Sequence, residues 1–289
     1  RESPFSRSNQ LQGPFSVRHV IFTQNNEQPS EFLGTYGYSV ALISYWLNGI
    51  PTLEENNHMT SPFYLYFFRN LFMRDDDYYM TNLNLFTYPQ LHLYPMLGVR
   101  QLFSDIPTNR SQQFNLRDEV FFETNFPNYN YGQYLPKKMI KVDNAREAIV
   151  AMADPSFDAT QEYVVLNEDI FDDELTGEST GQIKYESNGI RFSGDSNGKT
   201  LHILPMIFSN CLTSEDGNLL VRVNLLLTGV VFTGQVSDRI TYSGPPFSNE
   251  CLKKDILDVE RYSLRDREYA YPTASDKANF DGFLASPWH

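Results

Sequence analysis

The sequence predicts an α+β fold: a mixed α/β N-terminal part over residues 1–175, then an antiparallel β-sandwich over 176–289 that ends in a tail. Three observations predict it. Residues 144–166 read as a helix, a stop and a buried strand. Residues 61–74 read as a capped helix that is apolar nearly all round. From about 176 onward, runs of strand length alternate with turn signals.

Taken in order, "PFSVRHVIFTQ" (14–24) reads as a strand. Residues 36–48 hold a helix-like apolar stretch that Asn48-Gly49 would stop. Ser61-Pro62 starts a helix over 62–74: a hydroxyl cap, then proline at the first position, where no N–H is needed. Its residues Phe63, Tyr64, Leu65, Tyr66, Phe67, Phe68, Leu71, Phe72 and Met73 require cover on most faces. Asp75, Asp76 and Asp77 end it. Residues 88–104 hold a turn of helix and, after Gly98, a strand over Val99–Phe103. Residues 105–140 are polar and read as loop.

The joint 144–166 is the most legible segment. Asn144 caps a helix, and Glu147 stands at the third helical position, where its carboxylate reaches back to the cap's N–H. Ile149 and Met152 share a face. Asp154-Pro155 stops the helix, because proline excludes the α region for the residue before it. Tyr163, Val164, Val165 and Leu166 then form a short buried strand. Beyond it, "ELTGESTGQ" (174–182) has the composition of a linker. The runs "IKYESNGIRFSG", "TLHILPMIFSN", "LLVRVNLLLTGVVFTG" and "DRITYSG" follow. Ser187-Asn188-Gly189, Asp195-Ser196-Asn197-Gly198 and Asp216-Gly217-Asn218 mark turns between them. No element is assigned to 252–289.

Composition limits the function. A formal net charge of -13 argues against nucleic acid as a partner, since neutralising phosphates takes clustered Lys and Arg. No run reaches the roughly 18 to 20 apolar residues of a membrane helix, and "RESPFSRSNQ" lacks the apolar centre of a signal peptide. This opening reads as the start of a piece excised from something longer. No pair of the five histidines has metal-ligand spacing, and no cofactor or metal is implied. Asp75–Asp77 point three ways and read as a solvated helix end rather than a cation site. His202 alternates with apolar neighbours and reads as a core or edge residue. No nucleophile motif or phosphate loop is present, and no carboxylate pair stands out, so no catalytic residue is assigned. In "EENNHMTS", the groups of Glu55, Asn57 and His58 are of the kinds that hold sugar hydroxyls; a polar loop capping the next helix accounts for the same residues.

Three stretches in order carry a resemblance: "YPMLGVRQLFSD" (94–105), "EAIVAMADPSFDATQEYVVLNED" (147–169) and "LHILPMIFSNCLTSEDGNLLVRVNLLLTGVVFTG" (201–234). They resemble the extracytoplasmic C-terminal region of bacterial membrane proteins of the YfhO type, multi-spanning chains of the GT-C glycosyltransferase-like class. The chain departs from that pattern at Asn210-Cys211, where the family has Gly-Trp, and in the residues that follow the last hairpin. The resemblance implies an extracytoplasmic domain, tethered to the membrane by a transmembrane domain absent from this sequence. It would cover that domain's active site and help hold a glycan acceptor or a polyprenyl-phosphate-linked sugar, with Glu55, Asn57 and His58 as the contacts. Chemistry would lie in the membrane portion. In such a compartment Cys211 and Cys251 would pair, a bridge worth about 2 to 4 kcal/mol; the alternative is two separate thiols. A secreted carbohydrate-binding module or glycosidase, and an interaction domain without a small ligand, are the competing functions.

Overall fold

The structure is a computed structural model that describes residues 18–22, 62–72, 79–80, 83–84, 90–104, 110–116, 119–169, 175–186, 189–242 and 250–261. The chain forms two compact units. One comprises Arg1–His58, Phe72–Tyr129 and Asn279–His289; the other comprises Met59–Leu71 and Asn130–Ala278. The described part is rich in strand, with several antiparallel sheets and a few helices, an α+β composition.

The first unit holds a four-stranded sheet. Strand β1 (Arg18–Phe22) lies parallel to β4 (Val99–Ser104), which pairs antiparallel with β6 (Glu119–Asn125), and β6 with β5 (Gln112–Leu116). Strands β2 (Tyr79–Met80) and β3 (Leu83–Asn84) form a two-residue ladder. Before β4 the chain coils tightly. Leu93 N–H donates to Gln90 O at 2.9 Å, and Gly98 N–H donates to Pro95 O at 3.0 Å. Gly98 takes φ 78°, a left-handed exit that glycine adopts without steric cost. Leu93, Tyr94, Met96 and Leu97 are buried by this turn. The reading of 105–140 as loop is corrected here, since β5 and β6 lie inside it. Their sequences, QQFNL and EVFFETN, hold too few regularly spaced apolar residues to announce a strand. Cross-strand pairing, not periodicity, makes them strands.

Helix α1 spans Pro62–Phe72, and its residues up to Leu71 belong to the second unit. Phe63, Tyr64, Tyr66, Phe67, Phe68 and Leu71 are all buried, as an all-round apolar helix requires. The helix α2 (Ala145–Ala153) is capped by Asn144, whose Oδ1 accepts from Glu147 N–H at 3.0 Å. The Glu147 carboxylate reaches one residue further back than expected: it accepts from Asp143 N–H at 3.0 Å and from the Asn144 side-chain amide. Asp154 is extended (φ -63°, ψ 125°), and Ala148, Ile149 and Met152 are buried. Two side-chain turns then carry the chain into β8. Asp154 Oδ1 accepts from Ser156 N–H and Oγ–H, and Asp158 Oδ1 accepts from Thr160 N–H and Oγ1–H. Strand β8 (Glu162–Leu166) pairs parallel with β7 (Lys138–Val142) and is buried from Tyr163 to Leu166.

The main sheet runs β11–β13–β10–β9, with β12 also on β13, all antiparallel. Its strands are β9 (Ser179–Glu186), β10 (Gly189–Ile207), β11 (Leu212–Ser214), β12 (Leu219–Val223) and β13 (Leu227–Tyr242). Three expectations are corrected. The supposed linker 174–182 runs into β9, and Thr176 and Gly177 both donate to Lys199 O, so polar composition here marks an edge strand. Asp195–Gly198 is no reversal but a bulge inside one continuous strand, with a register shift between Ser196 and Thr200. The run 219–234 is instead cut by the reversal at Asn224–Leu226, where Asn224 and Leu225 have φ 50° and 61°.

At the bulge β10 bends sharply. The rings of Phe192 and His202 are 5.0 Å apart, although an extended strand would separate those residues by roughly 33 Å at about 3.3 Å per residue. Gly234, opposite Ser196, has φ 76° and lets β13 follow. One apolar cluster therefore takes in both arms of the bend: Ile183, Ile190, Phe192, Val236 and Ile240 with Leu204, Val230 and Phe232. Helix α3 (Glu250–Arg261) stands largely in the tail 252–289, where the sequence announces no element. It is joined to the sheet by a Cys211–Cys251 disulfide. The Asp255 carboxylate also holds it, accepting from Ser209 Oγ–H at 2.5 Å, Asn210 N–H at 2.9 Å and the Asn210 amide at 2.7 Å.

Candidate functional site

Glu55, Asn57 and His58 lie outside the described residues, as do the stretch 36–50 and Asp75–Asp77. What the structure does describe is the helix that follows them. The ring of Phe63, the second residue of α1, lies 3.6 Å from the guanidinium carbon of Arg222 on β12. Phe208 approaches the same group at 5.0 Å. Arg222 is only 6% exposed and its charge faces Asp169 at 3.6 Å. That distance is an ion pair without a hydrogen bond. A desolvated stack of this kind is worth about 2 kcal/mol, and it needs the flat guanidinium that lysine lacks. The first turn of α1 is thereby fixed to the sheet. Nothing in the spacing of Arg222 within LLVRVN announced this role; an arginine in an apolar strand is the signal that was available.

The most chemically suggestive group is His202, fully buried on β10. Its Nδ1 is 2.7 Å from Gly132 O and its Nε2 is 2.7 Å from Ser179 Oγ. A carbonyl only accepts, so Nδ1 carries the proton and Nε2 accepts from the serine hydroxyl. Phe192 and Phe232 stand beside the ring, with centroids 5.0 and 5.1 Å away. Gly181 clears the space for the ring. A Cβ on Gly181 would lie 2.2 Å from His202 Cε1, and one on Gly132, whose φ is 94°, would lie 2.6 Å from Ile183 Cγ2.

Serine, imidazole and an orienting acceptor in line are the parts of an activated nucleophile. The surroundings argue against that use. Burial lowers the His202 pKa to about 4, with the Gly132 carbonyl raising it only in part. A general base works best with a pKa near the operating pH. A ring held at about 4 is a weak proton acceptor at neutral pH, so the row serves to tie three chain segments together. The sequence reads His202 as a core or edge residue, and this burial makes it core, while its two polar partners are distant in sequence and were not legible.

Asp238 is a second fully buried polar group. It accepts from Ser214 Oγ–H at 2.5 Å, Asn218 Nδ2–H at 2.8 Å and Asp216 N–H at 3.2 Å. Ser214 ends β11, and Asp216 and Asn218 lie in the turn between β11 and β12, so the carboxylate organises that turn. Among the described residues no group of three or more His, Cys, Asp or Glu gathers to hold a metal ion, and no helix is long and apolar enough to cross a membrane. No family model, no curated protein and no solved structure matches the chain.

Proposed function

We propose that the chain is the extracytoplasmic domain of a multi-spanning, glycosyltransferase-like membrane protein of the YfhO type. In this reading it covers the membrane active site and helps bind a glycan acceptor or a polyprenyl-phosphate-linked sugar. The observation that carries the compartment is the Cys211–Cys251 disulfide, since such bonds persist where the surroundings are oxidising. The family reading rests on the order of the three resembling stretches. The long strands are read as closing into a β-sandwich. Supporting this is the apolar cluster shared by both arms of bent β10, a core of the kind two facing sheet layers enclose.

The ligand contacts in this proposal are Glu55, Asn57 and His58, which precede α1 in sequence. Carboxylate, amide and imidazole supply both donors and acceptors for sugar hydroxyls. The transferring chemistry belongs to the membrane domain, so the isolated chain has no turnover of its own.

The test uses the full-length protein. Replacing Glu55, Asn57 and His58 together by Ala should reduce glycan transfer in membranes while leaving the melting temperature of the 289-residue chain unchanged. Unchanged transfer would reduce the loop to a helix cap; unfolding would make the three residues structural. Protease added outside intact cells should cut this portion of the full-length protein, and complete protection would sink the placement. Turnover of glycans by the isolated chain would favour a glycosidase instead.

A further inference from the structure

The segment Asn130–Tyr134 occupies the edge of β10 beyond the end of β9. Ile203 N–H donates to Tyr134 O at 3.1 Å, Asn130 Nδ2–H donates to Ile203 O at 2.9 Å, and Ile183 N–H donates to Tyr131 O at 3.2 Å. The side chain of His202 is the tie that joins this segment to both strands at once, through Gly132 O and Ser179 Oγ. We propose that His202 makes residues 130–134 an acid-released strap, held on the β9–β10 edge while the imidazole is neutral and let go when it is protonated.

Three features of the site support this. The first is the fit of the slot. Gly181 lies so close to the ring that a single added carbon there would collide with it, and the ring is fully buried, so water does not reach an imidazolium while the strap is seated. The second is that, among the described residues, the ring meets neutral partners and no counter-charge. From β9 it meets the Ser179 hydroxyl, which also faces Thr200 Oγ1 at 3.4 Å, and from β10 and β13 it meets Phe192 and Phe232. Glu178 pairs with Lys137 at the surface, Asp195 is exposed, Lys199 is half-buried, and Asp238, opposite Phe192, is taken up by the β11–β12 turn. The strap itself brings Tyr131 and Tyr134, and burial raises the Tyr134 phenol well above its ordinary value, so it is neutral throughout.

The third feature is the direction of the linkage. The ring's pKa is lowered to about 4 in the closed fold, against 6.5 when solvated. A base with a depressed pKa keeps the closed state fully stable above its solvated pKa. That stability is lost as the pH falls from about 6.5 toward 4. Between neutral pH and pH 4 the opening equilibrium should rise by on the order of a hundredfold. Opening would free the backbone groups of Ile183 and Ile203 at the sheet edge, where the chain enters the second unit at Asn130.

The experiment is amide hydrogen exchange on the whole chain at pH 7.0, 5.5 and 4.5, corrected for intrinsic exchange rates. Peptides covering 130–134 and 179–186 should lose protection at least tenfold more than those covering the β12–β13 hairpin. His202→Gln should remove that pH dependence. Because this variant can fail to fold, the wild-type imidazole is also titrated by nitrogen-15 NMR, where His202 should protonate below pH 5. An ordinary midpoint near 6.5, a strap whose protection ignores pH, or equal loss across the whole sheet would each overturn the proposal.

Discussion

Asn197 and Asn224 make the same two hydrogen bonds in opposite surroundings. Asn197 N–H donates to Glu178 O at 3.2 Å and its Oδ1 accepts from Glu178 N–H at 2.8 Å. Asn224 N–H donates to Val164 O at 2.8 Å and its Oδ1 accepts from Val164 N–H at 2.8 Å. Each asparagine thus pairs with a neighbouring strand as another strand residue would. Asn197 sits exposed on the β10 bulge, whereas Asn224 is fully buried in the β12–β13 reversal. Water can replace the bonds of the first. For the second, nothing else would meet Val164 N–H, and an orphaned buried donor costs about 1 to 3 kcal/mol. One geometry therefore serves as trim at one place and as the joint between β8 and the main sheet at the other.

The largest expected effect comes from breaking the buried clasp. Asn224→Ala should cost about 3 kcal/mol, the orphaned amide plus about 1 kcal/mol for a Cβ residue without asparagine's tolerance of φ 50°. Asn224→Gly restores the backbone freedom but not the acceptor, and should recover about 1 kcal/mol of that loss. Urea unfolding of both variants separates the two causes. Equal costs for Ala and Gly would mean that the hydrogen bond alone matters.

An intermediate case is the Asp255 clasp, half-buried between α3 and the Ser209–Asn210 corner. Asp255→Ala should cost about 1.5 kcal/mol in the oxidised protein, since charge-assisted bonds are stronger but water partly replaces them here. Reducing the disulfide in that variant should release the helix, visible as faster exchange of its amides. A helix that stays protected after both changes would mean that apolar packing alone holds it.

Asn197→Ala should cost the least, about 0.5 kcal/mol, read from the same urea midpoints. A cost as large as that of Asn224→Ala would break the comparison, because burial would then not be what sets the weight of the clasp.

The local signals legible in the sequence were those completed within a few residues. The Asn144 cap, the Asp154-Pro155 stop and the α1 start at Pro62 each need only neighbouring backbone, and the structure has them. The strand character of 200–207, 219–223 and 227–232 was equally plain from its β-branched and apolar residues. For the site, the sequence marked His202 as core but gave no hint of Ser179 or Gly132, which are its neighbours only in space.

Where the chain reverses was settled elsewhere. Asp-Ser-Asn-Gly at 195–198 has better turn residues than Asn-Leu-Leu at 224–226, yet the first is a bulge and the second the hairpin. The reason is physical. Asn224 and Leu225 accept left-handed backbone because Val164 offers two hydrogen bonds and the apolar surroundings bury Leu225 and Leu226, while β13 keeps 189–196 and 200–207 on one continuous partner. Sequence by itself determined the α1 start, the α2 cap and stop, and the apolar strands β8, β10, β12 and β13; pairing in space decided that β5, β6 and β9 are strands, and the packed β8 and β13 decided which of two possible turns the chain makes.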